Sequence, residues 1–131
     1  MSRLVREIEQ CMRGLTEAEG GEVTARFLFP AGFIGFQGHF PERPVLPATC
    51  KIQAAIAVLE AWCGSEVGLQ EIVSAKFLAP VTSDEALLVG CLVSREEGNR
   101  GVVKARVVRN GQSVARFKLR VSFENGRRGC S

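Results

Sequence analysis

The 131-residue chain has a single histidine, His39, and no Cys-x-x-Cys pair among its five cysteines. It also has no apolar run near the roughly 20 residues that a membrane-spanning helix needs. Each shortage removes a class of function. One histidine and scattered cysteines, three of them inside strongly apolar segments, make core or free thiols the expectation rather than disulfides or a metal site. The first residues, Met1 to Glu7, carry charge where a secretory signal needs a continuous apolar region, so a cytoplasmic protein off the membrane is expected. A net charge of +3 and a pI near 8.7 are too mild for nucleic-acid binding without aromatic platforms or a recognition motif. An acidic protein or an anionic ligand remains compatible with that charge.

What is present is a 46% hydrophobic chain long enough for one domain, 1–131, with a real core. Residues 1–15 are read as an N-terminal extension with Leu4, Val5, Ile8 and Met12 at helical spacing, its end open to being the start of a strand. Residues 125–131 are read as a fraying tail. After Gly20-Gly21, residues 22–29 alternate, with Val23, Ala25, Phe27 and Phe29 on one face, as in a half-buried strand. A glycine- and phenylalanine-bearing loop leads from Pro30 to His39.

Pro47 suits the first turn of a helix and Gly64 its stop, which predicts a helix over 48–63. Apolar residues run nearly all the way round it, so it should be buried on most sides. Its polar exceptions, Gln53 and Glu60, are seven apart and therefore about 20° apart on one face, two turns from each other. Strands are expected over 71–78 and 85–94, the second apolar on both faces as a central strand would be, and a turn at Glu97-Gly98-Asn99 follows.

Two further alternating runs flank Asn110-Gly111, with Val103, Ala105 and Val107 in the first and 115 to 123 in the second. A two-residue Asn-Gly loop would set Arg106 opposite Ala115 and mix the faces. A three-residue loop, Arg109-Asn110-Gly111 with Gly111 left-handed, keeps each face uniform by pairing Lys104 with Arg116 and is the register expected. Either a solvated face or the docking of an acidic partner accounts for the cations Lys104, Arg106, Arg116, Lys118 and Arg120 that it aligns. The element order implies an α+β plan, one curved antiparallel sheet around a long central helix, with an edge strand that a second copy would cover.

The segment from Phe36 to Pro47, FQGHFPERPVLP, resembles the active-site motif of the bacterial 3-hydroxyacyl-acyl-carrier-protein dehydratases, roughly F-x-G-H-F-P-G-x-P-V-x-P-G. Ala75 to Val81 is similar to that family's K-F-x-x-P-V segment, and the likeness spans about 22–123. It implies a hotdog fold and a homodimer, or a higher assembly of such dimers, with composite sites between protomers. The substrate implied is an acyl-carrier-protein or coenzyme A thioester, and no cofactor or metal is implied.

Carried over residue by residue, His39 is the base that takes the C2 proton. Gly38, Phe40, Pro47, Ala48 and Thr49 lie along the substrate, with a helix-start N–H on the thioester carbonyl. The position of the helix acid falls on Gln53, whose amide has no proton to give at useful acidity. Glu42 and Ala48 also stand where the family has glycine. Glu60 lies ~11 Å of helix rise from Gln53 and is not expected to substitute for the acid. The first activity implied is dehydration of a 3-hydroxyacyl thioester to the 2-enoyl thioester. Thioester hydrolysis and a non-catalytic acyl or carrier-protein binding module are the alternatives that Gln53 favours.

Overall fold

A computed structural model describes residues 2–37 and 44–124. Ser2 caps the first helix, α1 (Arg3–Gln10), its hydroxyl accepting the Val5 N–H at 3.1 Å, and Ile8 is the residue that α1 buries completely. The chain passes directly into β1 (Met12–Glu17), which pairs with β2 (Val23–Leu28). Residues from Met12 onward thus belong to the sheet, where the sequence left open whether a strand begins. In β2 the alternation works as expected, with Val23, Ala25 and Phe27 buried and Arg26 and Leu28 exposed.

The second helix, α2, runs Ala48–Cys63 and ends on Gly64 in the left-handed conformation at φ 75°. Pro47 sits one place before the first helical turn: with ψ at 152° it is the N-cap, so its carbonyl, rather than a helical φ/ψ pair, begins the helix. Ten of the sixteen α2 residues are buried, as expected of a helix that a sheet wraps.

That sheet is antiparallel and six-stranded, ordered β1-β2-β4-β5-β6-β3, with β3 (Val67–Phe77), β4 (Ala86–Arg95), β5 (Arg100–Arg109) and β6 (Gln112–Phe123). β3 starts four residues before the expected Glu71, because the Glu60 carboxylate on α2 accepts the Val67 N–H at 3.0 Å and fixes where the strand begins. β4 is central in the sheet, but its outer side is open: Leu87, Val89 and Cys91 face the core while Leu92 is exposed.

The β5–β6 register corrects the expectation of a three-residue loop. Arg109 pairs with Gln112 across a two-residue turn, Asn110-Gly111, in which both residues have positive φ, 53° and 79°. This is the primed turn that Asn-Gly favours, and glycine supplies its second left-handed position at no steric cost. The faces stay uniform because of a bulge. Val108 pairs with Ser113 but Val107 pairs with Ala115, so Val114 is the extra residue. From there Lys104 opposes Lys118, not Arg116, and Val103 opposes Leu119. The bulge also makes a connection that no β-ladder could, since the Val114 carbonyl accepts the N–H groups of Leu78 and Ala79 at 2.8 and 3.2 Å.

Candidate functional site

The candidate site lies at the start of α2. Pro47 has no N–H and no side chain that caps the helix, and the first turn carries no acid. The Pro47 carbonyl takes the N–H of Cys50 at 3.1 Å and of Lys51 at 3.4 Å. The N–H groups of Ala48 and Thr49 lie ahead of the first helical bond, and no described group accepts from them. Both residues are exposed. Together they present the positive end of a sixteen-residue helix dipole to whatever approaches, which is an arrangement for holding an oxygen that gains negative charge.

Gln53 is half-buried one turn further on, four residues after Thr49 and so on the same flank. The pair offers an amide and a hydroxyl, both able to donate and accept hydrogen bonds and neither acidic. Glu60, two turns beyond, is committed elsewhere through its bond to Val67. Burial raises its pKa above the usual carboxylate value more than that hydrogen bond lowers it.

The segments on either side of residues 38–43 are firmly held. On the entry side Phe27, Phe29, Phe33 and Phe36 form a chain of rings with centroids 5.7, 4.7 and 5.7 Å apart. The backbone there is pinned by Glu7 of α1, whose carboxylate accepts the Ile34 N–H at 3.0 Å and is held below the usual carboxylate range first by that bond and then by Arg3. Gly35 permits the close approach, since a Cβ there would collide with the Phe33 ring and come within 3.0 Å of the Cys50 sulfur on α2. On the exit side the Leu46 N–H donates to the Val81 carbonyl at 2.7 Å, and both side chains are fully buried. Gly38, His39 and Phe40, expected as base and substrate contacts, lie outside the described residues, as does Glu42. Sequence reasoning missed Glu7: an acid in an amphipathic helix carries no sign that it will reach a backbone N–H 27 residues away.

One charged residue of α2 was also unforeseen. Lys51 is only 5% exposed, its ammonium 5.4 Å from the centre of the Phe77 ring, and burial, followed by the nearby Arg109 charge, lowers its pKa. Two positions from Gln53 on a helix is about 200° of rotation, so Lys51 does not share the flank of Gln53. Arg109 itself is fixed by Glu85 at 2.9 Å and the Pro80 carbonyl at 2.8 Å. Among the described residues no group of histidine, cysteine or carboxylate side chains is arranged to hold a metal.

Beside α2 the inner face of β3 is uncovered. Leu69, Ile72 and Phe77 pair with Val121, Leu119 and Ala115 of the core, yet remain 42 to 47% exposed, although α2 touches the strand through Glu60 at Val67 and Lys51 at Phe77. A helix start with free N–H groups among the described residues and an open apolar flank together suit an extended acyl group with a carbonyl at one end.

A single helix wrapped by an antiparallel six-stranded sheet is the hotdog architecture. The fold is shared with the dehydratase heterocomplex ApeI:P from Xenorhabdus doucetiae (TM-score 0.68, 17% identity, 85% of this chain and 96% of that one). It is shared too with the PaaI protein of the E. coli phenylacetic acid degradation operon (TM-score 0.65, 16% identity, 91% and 92%). The ApeI-like family, described as ApeI dehydratase, matches residues 15–118. The 3-hydroxyacyl-[acyl-carrier-protein] dehydratase FabZ of Clostridium botulinum (strain Loch Maree / Type A3) is 32% identical over 123 residues, 88% of this chain and 81% of the relative. The chain belongs to this ApeI-like, FabZ-related dehydratase family of hotdog proteins.

Proposed function

We propose that the chain removes water from a 3-hydroxyacyl thioester of carrier protein or coenzyme A, giving the 2-enoyl thioester. The observation that carries this reading is the start of α2, where the Ala48 and Thr49 N–H groups have no partner among the described residues, directly after a loop that matches the dehydratase motif. Those N–H groups would polarise the thioester carbonyl and hold the enolate oxygen, and neutral His39 would take the C2 proton. The departing 3-hydroxyl then needs a proton. Gln53 can donate a hydrogen bond to it but not the proton, so the imidazolium formed at His39 returns the one it took, and atoms and charge balance without a second acid. Such a route is slower than one with a carboxylic acid, whose loss costs ~100- to 10,000-fold.

The exposed edge of β3 supports a dimer in which each site combines the histidine loop of one protomer with α2 of the other. The ApeI:P neighbour is a dehydratase heterocomplex. A different hotdog chain in the second position would bring its own helix residue opposite His39, and the mass of the assembly purified from its source cell distinguishes that from a homodimer.

Gln53 and Thr49 favour one other reading. Two polar, non-acidic groups on one flank could position a water against the polarised carbonyl, which would make the reaction hydrolysis. A 3-hydroxyacyl carrier-protein thioester, followed for both enoyl absorbance and free thiol, separates the two: enoyl without thiol is expected, and thiol release would replace dehydration by hydrolysis. Binding of the acylated carrier with neither product would leave a non-catalytic module. Gln53→Glu should raise dehydration by about 100-fold or more. No gain would sink the assignment of Gln53 to the acid position, and unchanged turnover in His39→Ala would refute the base.

A further inference from the structure

We propose that the outer face of the sheet docks an acidic helix of a partner protein, in a trough walled by Lys76, Lys104, Arg106, Arg116 and Lys118. This does not rest on the catalytic reading, because the face lies on the side of the sheet away from α2.

The ladder creates the feature. Lys76 of β3 sits opposite Arg116 of β6, and Arg116 opposite Arg106 of β5, so three like charges form one row across neighbouring strands. Two residues along, Lys118 opposes Lys104 in a second row. Directly opposed like charges destabilise a sheet, and five of them on adjacent strands are an arrangement that folding alone disfavours. Three other cations are answered by carboxylates: Arg120 by Glu71 and Glu96, Arg109 by Glu85, Arg3 by Glu7. Here the only acid among the described residues is Glu22, and both its oxygens are held by Arg106 at 2.7 and 2.9 Å. Lys76, Lys104, Arg116 and Lys118 have no carboxylate partner among the described residues.

The side chains enclose about 680 Å³ of open trough, with Leu92, 42% exposed, as an apolar point among the charges. The rows are ~7 Å apart along the strands and reach ~10 Å across two strand spacings. A helix laid across the strands sets carboxylates at i, i+4 and i+7 over ~6 and ~10 Å of axis, about the length of the Lys76–Arg116–Arg106 row, with an apolar residue on the same flank to meet Leu92 beside Lys104. A nucleic acid would need a longer basic track and aromatic side chains to stack on, and a membrane surface would need more than one exposed apolar residue. The size, charge and single apolar contact fit an acidic helix.

The probe is a fluorescein-labelled, end-blocked alanine-based helix of about 18 residues with Glu at i, i+4, i+7 and i+11 and one Leu on the same face. Its anisotropy is titrated with the full chain. Binding is expected, weakening about tenfold between roughly 50 and 300 mM salt, since exposed charges are screened over that range. Lys104→Glu with Lys118→Glu should weaken it about tenfold or more at low salt, while Arg13→Glu on β1 should not. Lys118→Glu alone should lower peptide affinity yet raise the thermal midpoint by relieving its repulsion with Lys104, which separates lost docking from lost folding. The proposal is overturned if the peptide does not bind, or if the double variant binds it unchanged. It also fails if a Gln-substituted peptide, single-stranded DNA or phosphatidylserine vesicles bind as tightly as the acidic helix.

Discussion

Lys51 is an ammonium taken out of water with an aromatic ring beneath it and another cation, Arg109, nearby. A cation over a ring gains on the order of 1 kcal/mol, less than the several kcal/mol that desolvating an unpaired charge costs. Lys51→Met keeps the length and packing while removing the charge, and is expected to raise the thermal midpoint by about 2–6 °C at neutral pH. The pH dependence gives a second check. Because the folded pKa lies below the ordinary 10.5, the unfolded chain binds more protons between those two values. Wild-type stability should therefore rise with pH through that alkaline window, and Lys51→Met should lack the rise. A melting series in which both proteins show the same alkaline slope would remove Lys51 as its source.

Among the elements, α2 was legible to the residue, because Pro47, Gly64 and an apolar run between them are local signals. The β5–β6 turn was legible in type but not in register. The alternation of Ala115, Phe117 and Leu119 shows which residues face the core. It cannot show whether a loop or a bulge brings them there, and the bulge at Val114 is stabilised by Leu78 and Ala79, over thirty residues away. The start of β3 was missed for the same reason, since it is fixed by Glu60 on α2. Of the candidate site, Gln53, Ala48 and Thr49 could be placed from the motif and the helix together, whereas Glu7, the tether of the loop, is a contact between segments that share no pattern.

The Glu60 link has a measurable signature. Its pKa is raised on folding, so its contribution to stability is full below about the ordinary 4.5 and is lost as pH rises through the folded value. Glu60→Gln keeps an acceptor for the Val67 N–H without the charge. It should melt higher than wild type at pH 7, with the gap closing as pH falls toward 4.5. Glu60→Ala, which strands the N–H, should melt lower at every pH. Equal midpoints for wild type and Glu60→Gln across the series would show that the carboxylate is not penalised.

At the scale of the molecule the sheet is unfinished. β3 is eleven residues long, lies at the edge, and shows Leu69, Ile72, Val73 and Phe77 to solvent, the kind of edge that isolated proteins avoid. Among the described residues no helix is long and apolar enough to cross a membrane. A second β3 laid antiparallel would pair the free backbone groups and cover the apolar flank beside α2. If that seam forms, the chain sediments at twice its 14.2 kDa. Ile72→Lys, which puts a charge into the seam, should give monomers and lose activity with them, because neither protomer then holds a complete site. Leu28→Lys, equally exposed at 47% but on β2, should leave both the dimer and turnover intact. Monomers that still turn over would show that one chain carries the whole site, and an Ile72→Lys dimer would place the seam somewhere other than β3.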